Sequence, residues 1–155
     1  MGNKTQLINA VAQLFRDNIA AEGTLKAIRR VRVGAREELR SEKDFPIINI
    51  AHLGGSERLI ENPRIKTDNL RLKITLAVIK PDGTNNNDLY FNQEQTGGTL
   101  ILFEDMLDVL DGLAPPYIFD NQNYDYDITE DGGKVFYDLT VSVQAQRFTE
   151  GHRNV

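Results

Sequence analysis

Two charged clusters are the residues best placed to do chemistry in this chain. Arg29, Arg30, Arg32 and Arg36 stand close together, with Lys26 just before them and no acid among them. Guanidinium groups at that density can neutralise phosphates or mate with carboxylates. Glu104, Asp105, Asp108 and Asp111 lie among Leu102, Phe103, Met106, Leu107, Leu110 and Leu113, a spacing that makes them the wet face of a helix. No proton relay and no second acid in a cleft accompany them. They read as solvated or interface-forming groups rather than as general acids or bases.

The remaining candidates fail on spacing. Asp120 to Asp127 places oxygen ligands at alternate positions, as a calcium loop does. Counted from Asn121, however, Tyr126 stands where the sharp turn needs glycine, and Gly132 where a bidentate glutamate belongs. The stretch from Gly54 to Arg58 lacks the second glycine of a nucleophile elbow. Neither Gly97-Gly98-Thr99 nor Gly132-Gly133-Lys134 has the spacing of a phosphate-binding loop. The two histidines are His52, expected half-buried in a strand, and His152, in the tail, so no two-histidine metal site is expected. The absence of cysteine excludes disulfides, thiolate metal sites and a cysteine nucleophile. The expectation is therefore no catalytic residue, no cofactor, no metal and no enzyme. A small hydrolase would rest on nothing beyond acid clusters and two histidines.

Charge is divided along the chain. Residues 1–80 carry 15 Lys/Arg against 9 Asp/Glu, and residues 81–155 carry 3 against 14, within a net charge of −5. Such polarity bears on partners and not on fold. Copies stacked head to tail, or docked on a complementary ring, would gain orientation and association rate from it. Alternatively, folding interleaves the halves and the polarity vanishes. The arginines also keep a nucleic-acid-binding module open, although they lack interleaved aromatics for base stacking and belong to an acidic chain.

The elements that must position these groups follow from periodicity. At 155 residues the chain is expected to form one domain, 1–155, with a real core. Its longest apolar runs fall far short of a membrane span, and it opens without a signal-like segment, so assembly in the cytoplasm is expected. Leu7, Val11, Leu14, Phe15 and Ile19 predict a one-sided helix over residues 3–21, with Gly23 as its stop. Ile28, Val31 and Val33 make a strand plausible, ended at Gly34, with Arg30 and Arg32 on one face. Residues 37–44 read as an exposed turn or arm. A second strand runs from Phe45 to Leu53 and is closed by Gly54-Gly55.

The central strand is predicted over Leu70 to Lys80. Leu70, Leu72, Ile74, Leu76 and Val78 fill one face, while the other runs from Arg71 and Lys73 to Ala77 and Ile79, wet at its start and dry at its end. A helix lying across its C-terminal half would explain that change. Residues 81–98 are polar and aperiodic, a functional or mobile loop. The acidic helix follows over Leu102 to Leu113, stopped by Pro115-Pro116. A closing hairpin has Tyr124, Tyr126 and Ile128 on one arm and Gly132-Gly133 at its turn. Its return strand, 134–146, carries a polar face that is small and uncharged from Thr140 onward. Residues 149–155 read as a flexible tail. The sum is an α+β layer: a mostly antiparallel sheet of four to five strands with two amphipathic helices packed on it.

This order resembles the tail terminator (tail completion) proteins of long-tailed bacteriophages. The features that carry the resemblance are the opening helix from Thr5 to Ala21 and the Phe45-Pro46-Ile47-Ile48-Asn49-Ile50 strand after a charged arm. The alternating Leu70–Lys80 strand follows, then a helix (Leu102–Leu113) ahead of a closing strand (Val135–Ala145). The resemblance implies a virion protein of the tail or neck, forming a hexameric ring. Such a ring caps the tail tube protein, stops its polymerisation and presents a surface to the head-side connector, and in contractile tails it also meets the sheath protein. DNA would only pass through. The same plan is shared by other neck proteins, for head closure or head–tail joining. The family has no fixed motif to transfer a residue, but the charge layout itself makes Arg29, Arg30, Arg32, Arg36 and Glu104, Asp105, Asp108, Asp111 the expected interface residues, on different surfaces of such a ring.

Overall fold

The computed structural model describes residues 3–19, 23–61, 64–80 and 98–148. The predicted loop 81–98, apart from its last residue, lies outside them, as do the tail 149–155 and His152. The element order is α1 (Asn3–Asn18), β1 (Arg30–Val33), a 3-10 helix (Arg36–Ser41), β2 (Ile47–Glu61), β3 (Arg64–Ile79), α2 (Gly98–Asp111), β4 (Tyr117–Phe119), β5 (Asp125–Asp131) and β6 (Lys134–Phe148).

These form an α+β fold: a six-stranded, mostly antiparallel, curled sheet with two main helices. The strand order is β1-β2-β3-β6-β4, with β5 also pairing β6. β3 is central, as its alternation predicts. It is paired antiparallel along nearly its whole length with β2 on one side and β6 on the other.

Opposite residues share a face, so the register sorts the sheet into two surfaces. Leu70, Leu72, Ile74, Leu76 and Val78 of β3 lie beside Val143, Val141, Leu139, Tyr137 and Val135 of β6, all buried. Both helices cover that face. Leu7, Val11 and Phe15 of α1 and Phe103, Met106 and Leu110 of α2 complete one core with it. Each of these side chains contributes about 1.5–3 kcal/mol by leaving water. Tyr137 keeps its hydroxyl satisfied in that core through a short hydrogen bond with Thr99, which ties the first turn of α2 to the sheet.

On the second face, the dry end of β3 is covered as predicted, and the cover is the 3-10 helix. Leu39 and Phe45 pack there on Ile47, Ala77 and Phe136. Residues 37–44 are therefore not a free arm, because Leu39 is fully buried and anchors them. The dry run does stop one residue early, since Ile79 is 53% exposed.

Three further expectations are corrected. Gly54-Gly55 does not end β2, which runs on to Glu61. Pairing slips by one residue between His52 and Gly54, and Gly54 takes φ 120°, so the glycines bend the strand through a bulge. At Gly55 a side chain would stand 2.2 Å from the Asn69 carbonyl oxygen, which leaves room for glycine alone. The sheet has six strands rather than four to five, because Tyr117–Phe119, directly after Pro115-Pro116, pairs with Val143–Ala145. His52 is exposed, not half-buried. The closing hairpin forms as expected, with Gly132 and Gly133 at φ 60° and 78°, the left-handed pair that suits a two-residue hairpin turn.

Candidate interaction surfaces

The predicted basic surface is largely turned inward. β1 runs parallel to β2, pairing Arg30 with Ile47 and Val33 with Ile50. Val31 enters the helix-covered core, so Arg30 and Arg32 project together to the other face, where residues 35–44 fold back over them. Arg32 donates through Nη1 to Asn49 Oδ1 at 2.7 Å and to the Ala35 carbonyl at 3.2 Å. It pairs with Glu38, and its Nε lies 3.7 Å from Glu42. Asn49, itself fully buried, donates to the Gly34 carbonyl at 3.1 Å. Arg30 pairs with Glu42 at 2.7 Å.

Arg36 makes a two-pronged bond to Asp138, 2.9 Å from Oδ1 and 3.1 Å from Oδ2. Its guanidinium lies 4.0 Å over the Phe136 ring, and the Thr75 hydroxyl donates to Asp138 at 2.6 Å. Arg32 and Arg36 thus fasten the 3-10 segment to the sheet. Of the four predicted arginines, Arg29 is exposed and makes no ion pair with a described residue, and Arg30 is half open. The sequence could not show this, because Asp138 lies far down the chain and reaches Arg36 only through the register of β3 with β6.

The acidic surface stays outward. Glu104, Asp108 and Asp111 form one ridge of α2, and with Leu107, Phe119, Asn121 and Tyr124 they line an open pocket of about 280 Å³. Asp105 sits further round the helix. Burial, with Asp108 and Glu104 close by, raises its carboxyl above the ordinary aspartate range. Asp111 lies at the C-terminal end of α2, where the helix dipole disfavours an anion. No basic residue occupies that last turn, and the Asn121 amide donates to Asp111 at 3.2 Å instead. Asp120 is spent locally, accepting from the backbone N–H groups of Gln122 and Asn123, both at 3.2 Å. Among the described residues no group of three or more His, Asp or Glu could hold a metal ion, and no helix is long and apolar enough to cross a membrane.

A third surface was not predicted. Beyond the 3-10 helix, the second face of the sheet is left open by every described element. Its rows run Ala51-Lys73-Thr140, Gly54-Arg71-Ser142, Ser56-Asn69-Gln144 and Arg58-Thr67-Gln146 across β2, β3 and β6. No carboxylate stands in this grid, and Arg58, Arg71 and Lys73 make no ion pair with a described residue. The signals were present in the sequence as the wet start of β3 and the small polar face of β6. What they lacked was the register that lays them side by side.

Opposite this grid, the first turn of α1 is clamped to β2 and β3. Lys4 pairs with Glu57 and lies 3.6 Å from the buried Asp68, and Lys66 reaches Glu57 at 3.2 Å. The two ammonium groups, Lys4 foremost, pull the Glu57 carboxyl down to about 2.

The chain matches no protein-family model and no curated protein.

Proposed function

We propose that this chain is a tail terminator of a long-tailed bacteriophage, a structural virion protein that assembles as a ring on the end of the tail tube. The observation that carries the reading is the part of the charge polarity that survives folding, since Arg36–Asp138, Arg40–Asp131 and Lys80–Glu130 pair across the two halves. Glu104, Asp105, Asp108, Asp111, Asp120, Asp125 and Asp127 gather at the α2–β4–β5 side, and none forms an ion pair with a described residue. The basic half lies across the sheet at β1, β2 and β3. An isolated monomer pays self-repulsion for such a layout, whereas an oriented assembly on a charged tube converts it into direction and on-rate. The α+β plan agrees with the element order on which the resemblance rests. Inward use of Arg32 and Arg36 weakens the nucleic-acid reading, because the cluster that supported it is mostly occupied.

The test uses purified tail tubes. Added protein should arrest their elongation and appear as a six-fold ring on one end in negative-stain images. Tubes that keep growing with no terminal density would refute the proposal. The charged residues to vary are those without an ion pair to a described residue: Arg29→Glu on one side, and Glu104→Lys with Asp108→Lys on the other.

A further inference from the structure

We infer that the open face of β2, β3 and β6 docks the acidic α2 face of a second copy of this chain, as the repeating contact of the ring. The inference rests on the ring reading and names the surfaces that close it. The two surfaces lie on opposite sides of the sheet, since α2 packs on the core face and the grid is the other face. A contact joining opposite sides is head-to-tail, the kind that closes into a ring when the rotation allows.

Their charges are complementary and otherwise unused. Arg58, Arg71 and Lys73 stand among neutral Ser, Thr, Asn and Gln side chains, while Glu104, Asp108 and Asp111 form a ridge that no described cation neutralises. At ~4.8 Å between strands and ~6.7 Å between rows, the grid covers roughly 400 Å², well below the ~800 Å² per partner of a standard stable pair. A single contact is accordingly weak, and closing a ring, which makes the last contacts intramolecular, supplies the missing stability. A duplex is the less favoured occupant. Asp125 flanks the grid beside Thr140 and the chain as a whole is acidic, and both repel a duplex, with one charge per ~1.7 Å along its length, far more than they repel a ridge of three carboxylates.

The test is a charge swap. Arg71→Glu with Lys73→Glu gives a chain whose grid and α2 are both negative. Asp108→Lys with Asp111→Lys gives one where both are positive. Each variant, checked for folding by circular dichroism and thermal melting, should self-associate more than about tenfold more weakly than the parent by sedimentation at low salt. Mixed one to one they should assemble again, with the two chains alternating. Variants that associate like the parent, a mixture that stays monomeric, or a parent chain that never associates would each overturn the inference. So would a parent chain that binds a short DNA duplex through Arg71 and Lys73 while remaining monomeric. Capping of tubes is scored separately. A ring that forms by this contact but leaves tubes growing keeps the contact and removes the terminator reading, and capping by the charge-swap variants singly does the reverse.

Discussion

Replacing Arg36 by methionine should unfasten the 3-10 segment from the sheet. The Arg36 and Asp138 side chains are only 20% and 14% exposed, so most of their charge is out of water. Removing one partner of a buried pair costs about 3–5 kcal/mol, and of an exposed pair about 0–1 kcal/mol. This pair lies nearer the buried end, at roughly 2–3 kcal/mol. Loss of the guanidinium over Phe136 adds about 0.5–1 kcal/mol. The total of ~3 kcal/mol corresponds to a fall of about 6–12 °C in Tm for a domain of this size. Urea denaturation should show the loss as a lower midpoint with unchanged slope. Asp138→Asn keeps an acceptor for Thr75, so Arg36→Met/Asp138→Asn should lose less than the sum of its parts, by about 1–2 kcal/mol. A single-variant cost under about 1 kcal/mol, or strictly additive costs, would refute the reasoning. Arg36 would then be free for a partner, as the sequence alone suggests.

Other consequences follow from the same geometry. Glu57 is held at about 2 against an ordinary 4.5, so its clamp acts fully above the ordinary value and is lost as pH falls toward 2. Glu57→Gln should therefore flatten the acid limb of the Tm-versus-pH curve between those values, and an unaltered limb would discount the clamp. Asp105 is shifted the other way. Its raised value disfavours the ionised form in the fold, and that penalty grows as pH rises from the ordinary 3.8 through the folded value. Asp105→Asn should raise Tm slightly at neutral pH, within about 0.5 kcal/mol, with the gain vanishing in acid. Gly133→Ala forces a side chain into φ 78° at the closing turn and should cost about 1–2 kcal/mol by chemical denaturation. A neutral result there would show that the turn relaxes. Gly55→Ala meets the Asn69 carbonyl oxygen directly and should lower Tm more than Gly54→Ala, which has open space and costs only the backbone strain of a side chain at φ 120°.

The central strand, the two amphipathic helices and the glycine turn were legible in the sequence because each is a local pattern. Alternation over Leu70–Val78, the stripe of Leu7, Val11 and Phe15, and Gly132-Gly133 fix face or turn within a few residues. The wet-to-dry change along β3 even foretold a cover on its second face. The short strand Tyr117–Phe119 escaped because three residues carry no period, and its strand character comes from pairing with Val143–Ala145. The continuation of β2 past Gly54-Gly55 escaped because a bulge and a strand end have the same composition.

What the sequence determined about the candidate surfaces was charge type, and what it left open was which charges remain available. Glu104, Asp108 and Asp111 stay outward because a helix sets its wet face by its own periodicity. The fate of Arg32 and Arg36 depended on Asn49 and Asp138, which meet them only once β1 lies on β2 and β6 on β3. The same register gathered Arg58, Arg71, Lys73 and the polar face of β6 into one open grid. Side-chain type and local period are written in the order of residues. Strand register is a long-range property, settled by burying the common core, and in this protein it decided which arginines hold the fold and which cations face outward.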